Sequence, residues 1–216
     1  MSSDIVIIGT GGHAISVTNV ALSCGMRVVA YVDDNRVGQK LLNIQIISKQ
    51  ECTDTYPTAN FAIAIGDNAV RELLYKEYKS NLPESKFPSL IHQSAVAGIS
   101  SEIGSGTIIM PQANVGPNST VGKLCILNTL SSIDHDCDMQ SFSSIAPRVV
   151  TGGNVKIGVR TAVSIGTSIK HGIVIGDDVV IGANSYVNKD IDNNIVAYGT
   201  PCKFVRSRTK GEHYLD

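Results

Sequence analysis

The sequence predicts two folds in series, a small α/β domain with a parallel sheet over residues 1-88 and a parallel β-helix over residues 89-216. Three observations predict it. A strand, a glycine cluster and a helical apolar pattern open the chain; a strict six-residue apolar period fills its second half; and the composition suits a repetitive β core. Aromatics make up 5% and Trp is absent while Gly numbers 20, so the interior is built from small and β-branched side chains.

The first domain reads as alternating strand and helix. Asp4 to Ile8 is a short apolar run, Gly9, Gly11 and Gly12 follow, His13 to Cys24 carries a helical pattern, and Arg27 to Val32 returns to strand character. Phe61 to Ile65 reads as a further buried strand and Ala69 to Tyr78 as a helix, which together make a small Rossmann-like parallel sheet. Gly9-x-Gly11-x-x-Ala14 also fits a dinucleotide fingerprint, with Asp33 or Asp34 at the distance expected for a ribose contact. Either way a helix N-terminus offers free N–H groups to a diphosphate. On that ground Gly11, Gly12 and His13 are assigned to phosphate contact, Asp33 and Asp34 to the base or ribose, and Gly66 to close approach of the ligand. A plain turn after a strand is the competing reading of Asp33-Asp34.

Beyond Ser94 the helical period gives way to a hexad. Stepping by six from Ile103 to Val187, fourteen of fifteen positions are apolar, with Thr151 the exception. Each hexad is then a short strand plus a turn, three hexads form a triangular coil of eighteen residues, and the aliphatic position stacks inside the prism at about 4.8 Å per coil. Gly at the next position, as at Gly104, Gly116 and Gly158, is expected to permit a tight corner. The ends of the stack need covers, expected from the first domain on one side and the tail after Val196 on the other.

Bulk properties exclude several functions. With 18 basic and 19 acidic residues the net charge is -1, which supplies no field for nucleic acid or an anionic membrane. The start Met1-Ser2-Ser3-Asp4 lacks the basic stretch of a secretory signal, and Ile5 to Ile8 is too short to span a bilayer, so a cytoplasmic protein without membrane insertion is expected. Cys24, Cys52, Cys125, Cys137 and Cys202 form no C-x-x-C pair and are expected to be buried thiols. No metal is expected, because no closely spaced His pair exists to begin a three-histidine zinc site.

The unbroken hexads, the tail Gly199-Thr200-Pro201-Cys202-Lys203, the start Gly9-Thr10-Gly11-Gly12-His13, the pair Asp33-Asp34, the stretch Ala64-Ile65-Gly66-Asp67-Asn68 and the run Asp134-His135-Asp136-Cys137 together resemble one family. It is that of the hexapeptide-repeat acyltransferases, in the branch of sialic-acid O-acetyltransferase-like and bacillosamine-pathway N-acetyltransferases. The resemblance implies a left-handed parallel β-helix of hexapeptide repeats; spacing alone does not give the hand. It implies acetyl transfer from acetyl-CoA to a nucleotide-sugar substrate, in a homotrimer with active sites between subunits. The expected acceptor is a UDP- or dTDP-linked 4-amino-4,6-dideoxy sugar, N-acetylated; O-acetylation of a sialic-acid-type sugar is the alternative.

His135 stands between Asp134 and Asp136, so a carboxylate can orient its imidazole and stabilise the imidazolium formed during attack. On spacing alone a solvated corner residue between two acids accounts for it better. The resemblance makes His135 the general base and Asp136 its orienting partner. The resemblance also implies that acetyl-CoA contacts Ser144, Gly153, Ile165, Ala183, Pro201 and Lys203, with the Gly153 N–H at the thioester oxygen. Ser144 is a departure, since the bacillosamine-type relatives carry a second His there.

Overall fold

In the computed structural model, which describes residues 3–215, the chain opens with β1 (Asp4–Ile8), α1 (Gly12–Ser23) and β2 (Arg27–Val32). Met1 and Ser2, half of the start read for an export signal, lie outside the described residues. Then come β3 (Lys40–Leu41), β4 (Ile44–Ile47), α2 (Lys49–Thr55), β5 (Asn60–Ile63) and α3 (Asn68–Lys79). The sheet order is β3-β4-β2-β1-β5, parallel except for the β3–β4 hairpin. β1 lies inside the sheet between β2 and β5, with Ile5 to Ile8 buried on both faces. Ile5 and Ile7 pack under Val17 and Val20 of α1, while Val6 and Ile8 pack toward Phe61, Tyr75 and Phe87.

The hairpin and α2 are additions to the sequence reading. Leu42 and Asn43 both take left-handed backbone, the requirement of a two-residue hairpin turn whose twist matches its strands. Ser48 caps α2 by accepting from the Glu51 N–H while Glu51 reaches back to the Ser48 N–H. That S-x-x-E box was the available signal.

After a single 3-10 turn at Glu84–Lys86, seventeen two-residue strands run from β6 (Leu90–Ile91) to β22 (Tyr186–Val187), beginning two hexads before the repeat counted from Ile103. From β6 to β19 each pairs in parallel with the strand eighteen residues on, as Val115 does with Ile133. Three faces result. Two have six and five strands; the third gains β23 (Ile195–Tyr198) and β24 (Lys203–Ser207) to reach eight. The expected inward positions fill the core, with Ile109, Val115, Leu127, Ile145 and Ile181 fully buried.

Two expectations about the coils are corrected. The glycines after the aliphatic position do not have left-handed backbone; that conformation falls two residues later, at Gly106, Asn118, Asp136 and Asn154 among others. Glycine is needed instead because the next coil is too close: a Cβ at Gly104 would lie 2.6 Å from the Gly122 carbonyl carbon, and one at Gly158 would lie 2.4 Å from that of Gly176. The α/β domain, moreover, does not cover the first end of the prism. Ala97 holds an inward position there and is exposed, while the domain docks on the flank through Leu90, Ile108 and Met110.

Small residues before each next strand have a distinct purpose. The buried Thr107 hydroxyl accepts from the Cys125 N–H at 3.0 Å and donates to the Gly122 carbonyl at 2.7 Å; Ser119 serves Cys137 and Asp134 in the same way. Backbone groups that the two-residue strands leave unpaired are thereby satisfied inside the prism.

One corner carries the interdomain joint. Leu124, Phe142 and Arg160 sit eighteen residues apart, all with left-handed backbone. Phe142 meets the Tyr75 ring at 5.9 Å, and Arg160 bonds Glu72 of α3 at 2.9 Å and Asp178 at 2.6 Å. Fully buried Arg71 completes it, donating to the carbonyls of Ile65, Gly66, Leu124 and Phe142. The cysteine expectation holds for Cys52, Cys125 and Cys137 only. Cys24 ends α1 in solvent and Cys202 lies half-buried in the closing hairpin, where neither has a second layer above it. No helix among the described residues is long and apolar enough to cross a membrane.

Candidate active site

His135 lies at the corner between the six-stranded and five-stranded faces, in the turn between Ile133 and Asp138. The corner geometry puts Asp136 in left-handed backbone (φ 57°), which Asp tolerates, and swings its carboxylate back to the preceding ring. His135 Nδ1 donates to Asp136 Oδ2 at 2.6 Å, leaving the Nε2 lone pair free. The hydrogen bond to Asp136, and then the charge of Asp134, raise the imidazole above its ordinary proton affinity. Asp136 is held below the usual carboxylate range by His135 and by Asn118, whose amide lies 3.4 Å away.

The ring rests on Gly153, one coil further on. A Cβ at that position would be 2.5 Å from His135 Cε1 and 2.6 Å from Nε2, so only glycine leaves room for the imidazole. The Gly153 carbonyl accepts from the Gly172 N–H at 2.9 Å, but no described residue accepts from the Gly153 N–H. A basic nitrogen and a free backbone donor thus occur side by side, the pair that proton abstraction and oxyanion stabilisation require.

Two clefts flank the start of α1. The first, about 480 Å³, opens at the carboxyl ends of β1, β2 and β5 and is lined by Gly9, Thr10, Gly11, Asp33, Asp34 and Ile65. This is where open parallel sheets receive ligands. The Asp33 carboxylate accepts from the Thr10 hydroxyl and from the Asn35 N–H, and Asp34 accepts from the Lys49 N–H at 2.9 Å, so both also shape the loop. Gly9 needs its left-handed backbone (φ 112°). Gly11 and Gly12 are different. A Cβ on either would meet nothing within 4 Å, and α1 has no side-chain cap, so its first N–H groups face open space.

The second cleft, about 310 Å³, lies between the α/β domain and the eight-stranded face, where His13, Gly66, Asn128, Ser144, Ile165 and Tyr214 converge. His13 Nε2 is buried without a partner, and burial, followed by the charge of Arg71, pushes the ring down to about 4. The nominated residues therefore divide: Gly11, Asp33 and Asp34 line the first cleft, His13, Gly66, Ser144 and Ile165 the second, and Gly12 begins the helix between them. Ile165 and Ala183 stand eighteen residues apart on the corner between the eight- and six-stranded faces, both exposed. Pro201 and Lys203 lie further along, in a cleft of the closing hairpin with Cys202. Sequence reasoning missed Asn118 and Tyr214, which belong to no local motif and meet the site only through stacking or tail placement.

An open phosphate-type helix start joined to a β-helix whose corner bears a His–Asp pair defines a two-domain acyltransferase architecture. Residues 4–78 match the PglD N-terminal domain family. The chain is 27% identical over 178 residues to a GDP-perosamine N-acetyltransferase of Escherichia coli O157:H7, covering 80% of this chain and 79% of that one. PerB from Caulobacter crescentus, solved in complex with CoA and GDP-perosamine, superposes with a TM-score of 0.86 at 28% identity, over 94% of this chain and 98% of that one. The acetyltransferase domain of PglB from Neisseria gonorrhoeae FA1090, in complex with acetyl coenzyme A, gives 0.87 at 26% identity over 95% and 100%. The chain belongs to the nucleotide-sugar branch of the hexapeptide-repeat acetyltransferases, and its prism is a left-handed β-helix.

Proposed function

We propose that this enzyme moves an acetyl group from acetyl-CoA to the amine of a UDP- or dTDP-linked 4-amino-4,6-dideoxy sugar, with His135 as general base. The observation that carries this reading is the meeting of two clefts at the open start of α1. The first has room for a nucleoside, the free N–H groups of Gly11 and Gly12 suit a diphosphate, and the second has room for a sugar ring. As the sugar amine attacks the thioester carbonyl, a C–N bond forms, His135 Nε2 accepts the amine proton, and the Gly153 N–H donates to the oxyanion. Collapse breaks the C–S bond, and the imidazolium returns the proton to the departing thiolate.

The second cleft opens on the eight-stranded face, whereas His135 occupies the opposite corner of the same prism. One chain therefore cannot bring its own base to its own sugar cleft. The six-stranded face lies between the His135 corner and the Ile165–Ala183 corner, and its outward residues, Val96, Asn114, Ser132, Val150, Ser168 and Tyr186, carry no charge. The five-stranded face presents Glu102, Asp138 and Lys156. Packing uncharged faces in a homotrimer joins one subunit's His135 to its neighbour's Ile165 and Ala183, with acetyl-CoA between them and running toward Pro201 and Lys203. Acetyl-CoA supply suits a cytoplasmic site.

The test incubates the protein with acetyl-CoA and UDP-, dTDP- and GDP-linked amino sugars and follows free thiol. Turnover with an amino sugar is expected, and His135→Ala should lower kcat by roughly 10²- to 10⁴-fold. Turnover confined to sugars without a nucleotide, or a fully active His135→Ala, overturns the reading.

A further inference from the structure

The chain beyond β24 folds back over the molecule. Buried Arg208 donates to the Asp178 carbonyl at 3.0 Å and to the Glu212 carbonyl, the Gly211 N–H lies 3.4 Å from Asp178 Oδ1, and Glu212 pairs with Arg206 at 2.7 Å. From that anchor on the β-helix the segment crosses to the α/β domain. His213 Nδ1 lies 3.1 Å from Asp67 Oδ2, the carboxylate that caps α3. The Tyr214 hydroxyl donates to the Gly66 carbonyl at 3.2 Å and lies 3.4 Å from Ser144 Oγ, in range to accept from it. Leu215 closes over Gly66, where an added Cβ would lie 3.1 Å from Leu215 Cδ1.

Tyr214 and Leu215 thereby become a wall of the second cleft, with the partnerless His13 Nε2 among its other lining groups. That cleft mixes apolar surface from Ile126, Ala162, Val163 and Leu215 with a few polar atoms, the character of a site that orients a small ligand. Arg208 also stacks its guanidinium 5.8 Å from the Tyr214 ring centre, which ties the wall to the anchor.

We propose that residues 208–215 form a strap that completes the acceptor site, with Tyr214 as a positioning residue that fixes Gly66 and Ser144 around the sugar ring, so that Ser144 serves the acceptor rather than the acetyl-CoA expected of it, and Leu215 limiting the bulk accepted there. This rests on the nucleotide-sugar reading above. The strap acts on the sugar half of the acceptor, not on the nucleotide half, because its polar contacts on the α/β domain fall at Gly66 and Asp67 and none reaches Thr10, Asp33 or Asp34.

The test compares the full chain with Tyr214→Phe and with a chain ending at Lys210, measuring acceptor KM, acetyl-CoA KM, kcat and, by calorimetry, affinity for free UDP and dTDP. Tyr214→Phe keeps the ring and removes the hydroxyl that contacts both Gly66 and Ser144, so acceptor KM should rise about tenfold while acetyl-CoA KM and nucleotide affinity stay unchanged. The truncated chain should show the same selective rise, larger, and should accept a bulkier nucleotide-linked amino sugar. Unchanged acceptor KM in Tyr214→Phe, or an equal loss of free-nucleotide affinity, overturns the strap while leaving the acetyltransferase reading intact. A wild-type chain that neither binds nor turns over any nucleotide sugar overturns both.

Discussion

At the scale of single residues, His135 is set by two neighbours with opposite demands. Asp136 supplies a negative charge that makes the ring a stronger base, and Gly153 supplies the empty volume in which the ring lies. The sign of the pH dependence follows. A base works deprotonated, and Asp136 raises the pH at which His135 loses its proton, so the acid limb of kcat/KM should lie above that of an ordinary imidazole. In Asp136→Asn the imidazolium loses its partner, the limb should move to lower pH, and kcat should fall roughly tenfold or more. An unmoved limb with unchanged kcat means that Asp136 does not act through His135.

At the scale of the element, each turn of the prism separates two jobs that glycine performs in most turns. One position needs a left-handed backbone and another needs no Cβ, so substitutions at the two should act in opposite directions. Gly158→Ala puts a methyl 2.4 Å from the Gly176 backbone and should cost about 1–3 kcal/mol by overpacking. Exposed Arg148, at φ 60°, already bears the left-handed cost, so Arg148→Gly should be neutral or stabilising by up to about 1 kcal/mol. Thermal unfolding at one fixed protein concentration checks the pair; equal destabilisation by both would mean that the corner glycines serve flexibility after all. The hydroxyl ladder of Thr107 and Ser119 belongs to the same scale, since strands of two residues cannot satisfy every backbone group between themselves.

For the whole molecule, the joint between domains decides whether the second cleft exists. Phe142 holds a left-handed backbone while burying its ring against Tyr75, a combination worth its strain only if the docked state gains more than it loses. Phe142→Ala should therefore lower stability by about 3–5 kcal/mol, read as a large drop in the unfolding midpoint, and weaken acceptor binding as the second cleft opens. Sharing of sites between subunits is testable by complementation. His135→Ala and Gly11→Asp chains, each strongly impaired alone, should regain part of the activity when co-expressed, because on the proposed trimer a mixed oligomer contains a site with the proposed base from one chain and the proposed phosphate seat from another. No recovery in confirmed mixed oligomers would require each site to lie within one chain.

Legibility followed periodicity. Hexads from Ile103 to Val187 and the apolar run Ile5 to Ile8 announce their elements because each period matches one repeating geometry, and His135 with Asp136 was visible because adjacent residues meet at one corner. The hairpin at Leu42-Asn43 and helix α2 were less visible because two or three residues carry each signal. The chain alone thus determined two folds, the prism's inward face and the adjacency of His135 and Asp136, all consequences of short-range spacing. Only the tertiary structure decided that the α/β domain docks on the flank, that Gly153 lies beneath His135, and that Tyr214 meets Gly66 and Ser144, because those contacts join residues far apart in sequence through the stacking of coils and the return of the tail.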